Sequence, residues 1–329
     1  MDENLNRDIE EVIKLESNNL QKLEGKTVLV SGATGLIGSF LSLIFLHYNE
    51  TSKIKINLIG LVRDKEKAKS LLGDEIELYS LEDFVKSKRR VDYIIHTISP
   101  TASDFMFNFP VETLDSIIEP TKILLENVKG DKDFKKFIYL SSMEAYGVTD
   151  KITNEEDQGY ISLSSSRSSY PLGKRLAEFY CFSYFQEHKI PTASLRLAMC
   201  IGKTHKKDDK RAWVSFLKTA SRGENIVLKT SGKSSLNFIY YIDAATAIIE
   251  SMFNAQNGET YNVVSDDSGK TIFDLANLIA KKYKVKVETK INTNNCFAPE
   301  NKMILSNEKI KSIGWKPKYD LESIIENLS

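Results

Sequence analysis

The stretch TVLVSGATGLIGSF, residues 27–40, joins a short apolar, β-branched run to a glycine-rich turn and then to an apolar segment of helical character. This order predicts a buried strand, a tight turn and a helix. The three glycines lie three residues apart, where a missing Cβ lets backbone amides approach a pyrophosphate at the positive end of the helix dipole. We therefore predict dinucleotide binding, rather than a turn without a ligand, at Gly32, Thr34, Gly35, Leu36, Ile37 and Gly38.

The rest of the chain repeats this alternation of strand and helix. Apolar runs that predict strands lie at residues 56–62, 93–96, 137–141 and 192–197, and segments of helical period lie at 111–128 and 171–187. Strands that are apolar throughout and alternate with helices indicate an α/β fold with a parallel sheet covered on both faces. After about residue 202 the pattern changes, which predicts a second, smaller, mixed region; it includes a strand at 260–264.

The composition excludes several classes of protein. The chain has 329 residues, with 45 Lys and Arg balanced by 45 Asp and Glu, so its formal net charge is zero. General binding of nucleic acid or an anionic membrane needs a positive surplus, so we expect neither partner. The chain has no bilayer-spanning apolar stretch and no signal-peptide core, so we expect a cytoplasmic protein. Its three cysteines and four histidines are scattered, so we expect no metal site and no disulfide framework.

The end of the second predicted strand bears on the choice between NAD and NADP. NAD-binding enzymes usually place an acid there to hold the ribose 2′-hydroxyl, whereas NADP-binding enzymes often place an arginine. Here the strand ends in Arg63, which favours NADP mildly, and Asp64 follows it directly. Both cofactors stay open at this point. The plainer alternative is that the two side chains are solvated residues at the start of a charged stretch.

A tyrosine and a lysine four residues apart start one of the predicted helices. Tyr170 and Lys174 share a face of that helix, and they follow a strand that ends in Ser141 and Ser142. A phenol is a useful base only when its pKa falls from about 10 toward neutrality, which a nearby ammonium promotes. We therefore expect Lys174 to lower the pKa of Tyr170, and the Ser142 hydroxyl to hold the substrate oxygen.

Together these motifs resemble the extended short-chain dehydrogenases/reductases, specifically the NAD-dependent epimerase/dehydratase family that acts on nucleotide sugars. The resemblance covers nearly the whole chain from about residue 24. Its stretches, in family order, are TVLVSGATGLIGSF (27–40), DYIIHTISPTAS (92–103), FIYLSSMEAYG (137–147), RSSYPLGKRLAE (167–178), NFIYYIDAA (237–245), GETYNVV (258–264) and IGWKP (313–317).

The resemblance implies an α/β fold built as a Rossmann-type doubly wound parallel sheet with a smaller mixed C-terminal substrate domain. We expect an N-terminal helical extension at residues 1–24 and a dinucleotide-binding Rossmann domain at 25–202. Residues 203–329 are then mainly substrate-binding, with some segments returning to the Rossmann domain. The resemblance also implies a homodimer formed through helices that flank the sheet.

The same resemblance implies roles for individual residues. Ser142, Tyr170 and Lys174 match catalytic positions of the family, and Lys174 would also hold the cofactor. Tyr170 would remove the proton of the sugar 4-hydroxyl while C4 is oxidised by NAD or NADP, which gives a 4-keto intermediate. Substrate contacts are expected at Ser99, Thr101, Met143, Arg167, Met199 and Arg211. We expect a nucleotide-sugar 4-epimerase or a related redox-neutral conversion, with NAD tightly bound in that case.

Three positions depart from the family pattern. Met143 stands where the 4,6-dehydratases carry an aspartic acid, and a thioether cannot donate a proton. Glu144 is kept and remains a candidate catalytic base. Leu236 falls where many relatives place an arginine, for which Lys233, Arg222 or Arg211 are possible substitutes, and Met199 falls on an asparagine position.

Other reactions therefore stay open. One is a nucleotide-sugar 4,6-dehydratase or decarboxylase with an atypical site. Another is an NADP-dependent 4-keto-sugar reductase, which Arg63 would suit. The most remote alternative is a non-catalytic dinucleotide sensor; an intact set of Ser142, Tyr170 and Lys174 argues against it, because a sensor needs none of the three.

Overall fold

A parallel sheet dominates the computed structural model, which describes residues 3–204, 209, 211–291 and 300–328. Its strands, in chain order, are β1 Thr27–Ser31, β2 Asn57–Leu61, β3 Glu77–Tyr79, β4 Tyr93–His96, β5 Lys136–Ser142, β6 Ile152–Thr153, β7 Thr192–Leu197, β8 Met199–Ile201, β9 Ile226–Leu228, β10 Phe238–Tyr240, β11 Glu259–Val263, β12 Val287–Thr289 and β13 Ile304–Leu305. The large sheet has the order β3-β2-β1-β4-β5-β7-β11, and each neighbouring pair is parallel.

Helices connect these strands and cover the sheet. They are α1 Glu3–Leu15, α2 Ser17–Lys22, α3 Leu36–Thr51, α4 Lys65–Leu72, α5 Leu81–Ser87, α6 Ser103–Asn108, α7 Pro110–Val128, α8 Ser169–His188, α9 Ala212–Ser221, α10 Tyr241–Asn254, α11 Ile272–Tyr283, α12 Glu308–Lys311 and α13 Leu321–Asn327. Two short 3-10 turns lie at Met143–Tyr146 and Ser166–Ser168.

The strand order reverses at β1, so the sheet is doubly wound. Side chains of β1 alternate between the two faces: Val28 and Val30 enter one core, whereas Leu29 enters the other. The first core includes residues of α1, α3 and α10, and the second includes residues of α7 and α8. The structure therefore confirms the predicted Rossmann-type parallel sheet, with helices on both faces.

Beyond Gly202 the chain builds smaller pieces and also returns to the large sheet. The strand predicted at residues 260–264 is β11, which pairs with β7 at the edge of that sheet; its assignment to the smaller region was wrong. The smaller sheets are two-stranded pairs: β8 with β10, β9 with β12, and β6 with β13. The polar loop at 203–211 is only partly described, and His205 and Cys296 lie outside the described residues.

The two N-terminal helices are held against the large domain by buried polar contacts. Asp8 of α1 is 3% exposed and accepts hydrogen bonds from Lys203 Nζ at 2.7 Å and from the Tyr241 hydroxyl at 2.6 Å. In α2, Asn19 Nδ2 donates to Glu16 at 2.8 Å and to Glu250 of α10 at 2.7 Å. The extension is therefore packed into the fold.

The contact at Glu16 predicts a pH-dependent stability. Burial raises the pKa of Glu16 to about 7 from an ordinary value of 4.5, and the Glu250 carboxylate adds to this rise. The Glu16 carboxyl therefore ionises at a lower pH in the unfolded chain than in the folded protein. As a result, the free energy of unfolding falls as pH rises from about 4.5 to 7. We therefore expect the free energy of unfolding of Glu16→Gln, measured relative to the wild type, to increase by about 3 kcal/mol between pH 4.5 and pH 8.

Urea unfolding of both proteins at several pH values measures this difference. Glu10→Gln is the matched control, because Glu10 lies on the exposed side of α1. A wild-type and a Glu16→Gln protein whose stability difference does not change with pH would contradict the prediction.

Candidate active site

The glycine turn after β1 is closed by contacts that leave no room for a side chain at two of its three glycines. Gly32 has a φ of +68°, and a Cβ on it would lie 2.7 Å from Thr97 Oγ1. A Cβ on Gly38 would lie 2.3 Å from the Gly32 carbonyl oxygen. Thr97 Oγ1 in turn donates to the Ser31 carbonyl at 2.6 Å. Glycine is therefore required at both positions for the turn to pack against the start of α3.

The start of α3 fits a dinucleotide pyrophosphate. Gly35 is the N-cap residue of this 16-residue helix, and a glycine has no side chain with which to cap the first N–H groups. The first backbone N–H groups of a helix lack partners within the helix, and the dipole end there favours an anion. Thr34, Gly35 and Leu36 are partly exposed, whereas Ile37 is buried. The donors needed by a pyrophosphate are therefore available where the sequence predicted them.

The two charged residues after β2 are both exposed. Asp64 is the N-cap of α4 and accepts a hydrogen bond from the Lys67 backbone N–H at 3.0 Å. Arg63 precedes it at the carboxyl end of the sheet, on the same side as the glycine turn. The structure thus gives Asp64 a structural role that the sequence did not predict.

Tyr170 lies half-buried at the start of α8, near the end of β5 that carries Ser142. Burial raises the pKa of its phenol to about 12, and the nearby Glu144 carboxylate adds to this rise. Hydrogen bonding to Ser142 and Ser99 acts in the opposite direction. The expected lowering of this pKa is therefore wrong for the arrangement seen, because burial outweighs the favourable contacts.

Lys174 lies one turn after Tyr170 and is only 2% exposed. Its Nζ donates to the Leu140 carbonyl at 2.7 Å and lies 5.9 Å from the centroid of the Tyr170 ring. Burial lowers the pKa of Lys174 to about 7, while Glu178 opposes this shift. The lysine shares the predicted helix face, but its ammonium group bonds to the backbone of β5.

A buried ion pair lies beneath these residues. Glu178, one turn after Lys174, is 7% exposed and bonds to Arg196 of β7 at 2.7 to 3.1 Å. The Ser141 hydroxyl also donates to Glu178. Glu178 therefore ties together α8, β5 and β7, the elements around Ser142 and Tyr170. This role of Glu178 was not predicted from the sequence, although the spacing of residues 170, 174 and 178 on one helix face was a usable signal.

Glu144 and Arg167 form a second ion pair beside the tyrosine. Arg167 is 7% exposed, and its Nη2 donates to the two Glu144 oxygens at 2.9 and 2.7 Å. The Arg167 guanidinium carbon lies 5.6 Å from the centroid of the Tyr170 ring. Glu144, Arg167 and Tyr170 are therefore brought together. The Glu144 carboxylate is engaged by a cation here.

The remaining predicted substrate contacts are more dispersed. Met143 and Met199 are half-buried and pack on the core, Ser99 is half-buried, and Thr101 is exposed. Arg211 bonds to Asp209 and to the Cys200 carbonyl, the latter at 3.1 Å.

The position that lacks the family arginine contributes no cation to the site. Leu236 is 1% exposed and belongs to the core. Of the proposed substitutes, Arg222 pairs with Glu224 on the surface and Lys233 is exposed. Neither is placed with Tyr170 by a contact seen in this structure.

Several expected absences concern only the described part of the chain. Within it, His, Cys, Asp and Glu side chains form no group of three that suits a metal ion, and Cys181 and Cys200 are free and buried. None of the helices described is long and apolar enough to cross a membrane.

Comparison with known proteins places the chain in a family. The model of the NAD dependent epimerase/dehydratase family matches residues 28–264. A dTDP-D-glucose 4,6-dehydratase from Dictyostelium discoideum is 27% identical over 80% of this chain, a match that spans only 63% of the relative. UDP-glucuronic acid decarboxylase 6 from Arabidopsis thaliana is 26% identical over 89% of this chain and 85% of its own length.

A solved structure supports the fold alone. The UDP-glucose 4-epimerase of Thermotoga maritima superposes with a TM-score of 0.78 at 21% identity, covering 92% of this chain and 98% of that one. The family is NAD-dependent by its description, which supports NAD over the NADP that Arg63 suggested. Because the family model covers most of the chain, including the glycine turn and the Ser142, Tyr170 and Lys174 positions, the protein belongs to the NAD dependent epimerase/dehydratase family.

Proposed function

We propose that the chain oxidises a nucleotide sugar at C4, and that the net reaction is a 4-epimerisation or a related redox-neutral conversion. The observation that carries the proposal is the placement of Tyr170 beside Ser142, with Lys174 one turn along the same helix. The glycine turn lies at the same carboxyl edge of the sheet, where ligands of doubly wound folds bind.

Each of these residues has its own role in the proposed reaction. The start of α3 and Lys174 would hold NAD, which would supply a hydride acceptor for C4. Tyr170 Oη, as the phenolate, takes the proton of the sugar 4-hydroxyl, and the Ser142 hydroxyl holds the same oxygen in place. With a pKa of about 12, Tyr170 is a poor base at neutral pH. We infer that Lys174 exchanges its bond to the Leu140 carbonyl for a position closer to the phenol when substrate binds.

Two features favour 4-epimerisation over loss of water. Met143 has no proton to donate to a leaving hydroxyl. Glu144, which would act as the base for elimination, is held by Arg167. Ser99, Thr101, Met143, Arg167, Met199 and Arg211 are proposed to contact the nucleotide sugar, with residues 203–329 providing much of the substrate-binding region and residues 25–202 the cofactor domain.

Incubation with NAD and UDP-glucose, dTDP-glucose or UDP-glucuronate in D₂O, followed by proton NMR, tests the function. An epimerase yields the C4 epimer without deuterium on carbon, whereas elimination of water yields a 4-keto-6-deoxy sugar that carries deuterium. We expect no 4-keto-6-deoxy product from UDP-glucose or dTDP-glucose. Its appearance would overturn the proposed 4-epimerisation and show that another group acts as the acid.

We also propose that the protein forms a homodimer through α7 and α8, which pack against each other on one face of the sheet. These helices expose apolar side chains that a monomer would leave in water: Ile123 is 37%, Leu176 43%, Phe179 62% and Phe182 45% exposed. Contiguous exposed apolar surface of this kind is typical of protein–protein contacts. A second copy of the same two helices would cover it.

Phe179→Glu is expected to weaken the dimer by at least about tenfold, because the substitution places a charge in the apolar contact. Sedimentation velocity over a range of concentrations measures the change. Leu71→Glu on α4 is the matched control, since Leu71 is 47% exposed outside this surface. Equal effects of the two substitutions, or a wild-type monomer, would reject α7 and α8 as the interface.

A further inference from the structure

Arg167 has hydrogen-bonding capacity that the protein does not use. Its Nη2 donates to Glu144, whereas Nε and Nη1 are buried and have no hydrogen-bond partner among the described residues. A guanidinium carries five N–H donors in a rigid plane, and a buried donor without a partner destabilises the folded protein. A folded protein retains such a cost where a bound ligand relieves it, so the two nitrogens indicate a missing acceptor.

The location of Arg167 limits where that acceptor lies. The guanidinium carbon is 5.6 Å from the centroid of the Tyr170 ring, so the side chain is within reach of a sugar whose 4-hydroxyl meets that tyrosine. The ring carbon next to C4 is C5, which carries the exocyclic C6. A group on C6 is therefore well placed to meet Arg167 when the 4-hydroxyl lies at Tyr170.

The chemistry of the donors favours a carboxylate over a neutral hydroxyl. Arginine binds carboxylates through paired N–H groups, and such charge-assisted bonds are roughly twice as strong as neutral ones. Met143, Met199 and Leu236 carry no charge, and Arg211 is already bonded to Asp209. Unlike these residues, Arg167 is a buried cation that has unused N–H donors.

We propose that Arg167 is a specificity-determining residue that binds a carboxylate at C6 of the sugar, so that the substrate is a nucleotide-linked hexuronic acid rather than a neutral hexose. This inference rests on the proposed function, because it names the sugar class of the same site. Arg167 and Glu144 together carry no net charge. Recognition therefore depends on the directed N–H groups more than on a general positive field.

Calorimetric titration of the NAD-loaded Tyr170→Phe protein with UDP-glucuronate, UDP-glucose and UDP tests the proposal without turnover. We expect UDP-glucuronate to bind at least about tenfold more tightly than UDP-glucose. Adding Arg167→Gln should reduce this preference to within about twofold while the affinity for UDP stays unchanged. Arg167→Lys, which keeps the charge but loses the planar donors, should recover only part of it.

Equal affinity for the two sugars, or a preference that survives Arg167→Gln, would overturn the inference. Loss of UDP affinity in Arg167→Gln would also count against it, because the residue would then serve the whole site rather than the carboxylate. These outcomes concern the choice of sugar and do not decide whether the proposed reaction takes place. That function fails if no nucleotide sugar is converted at C4, whereas a preference between two sugars is measured here by binding alone.

Discussion

Tyr170→Phe is expected to reduce turnover by at least about a hundredfold, the lower range for loss of a general base. The phenol hydroxyl is the group that receives the proton of the sugar 4-hydroxyl in the proposed mechanism. Phenylalanine keeps the ring, so its packing on the core and beside the Arg167 guanidinium is retained. Affinity for NAD and for the nucleotide sugar should therefore change little, and the loss should appear in kcat rather than KM.

Two further variants make this result specific. Tyr180→Phe removes a hydroxyl from a half-buried tyrosine of the same helix and should leave turnover unchanged. Lys174→Met should reduce turnover and also weaken NAD binding, because Lys174 is proposed to serve both the phenol and the cofactor. Near-normal turnover of Tyr170→Phe on a substrate that the wild type converts would remove Tyr170 from the chemistry.

The local parts of the site were predictable from the sequence. β1, β4 and β7 have the bounds that their apolar runs predicted, and two of the three turn glycines, Gly32 and Gly38, lie where a Cβ would clash. These features depend on residues close together in the chain. β3 was not predicted, because a three-residue strand of Glu, Leu and Tyr offers too little pattern to recognise.

Features that depend on distant contacts were not predictable in the same way. β11 belongs to the large sheet because it pairs with β7, more than sixty residues earlier, and its own sequence does not show that partner. The pKa of Tyr170 was misjudged for the same reason. The spacing to Lys174 was visible, but the burial that raises this pKa arises only when α8 packs against β5.

Gly35→Asp is expected to abolish NAD binding while the fold is kept. Gly35 has a φ of −80° and a ψ of 173° at the N-cap of α3, an extended conformation that other residues adopt. Its added Cβ would lie 3.2 Å from the Gly32 carbonyl oxygen, which requires only a small shift. Aspartate is moreover a favoured N-cap residue. Gly38→Ala is a poorer test, because its Cβ would collide with the turn itself.

The effect on NAD arises from both charge and occupied donors. An N-cap carboxylate accepts from the N–H groups that would otherwise meet the pyrophosphate. It also repels the pyrophosphate by about 4 kcal/mol for unit charges ~4 Å apart near a protein surface, which is about a thousandfold in affinity. Gly35→Asn is the matched control, since it occupies the same donors without the charge and should lose only about tenfold.

Calorimetric titration with NAD and thermal unfolding without NAD separate binding from folding in this pair. We expect both variants to unfold at or slightly above the wild-type temperature, because a capped helix replaces an uncapped one and a glycine is removed. The aspartate variant alone should show no measurable NAD binding. If Gly35→Asp bound NAD as the wild type does, the pyrophosphate would not lie at the start of α3, and the glycine turn would only connect a strand to a helix.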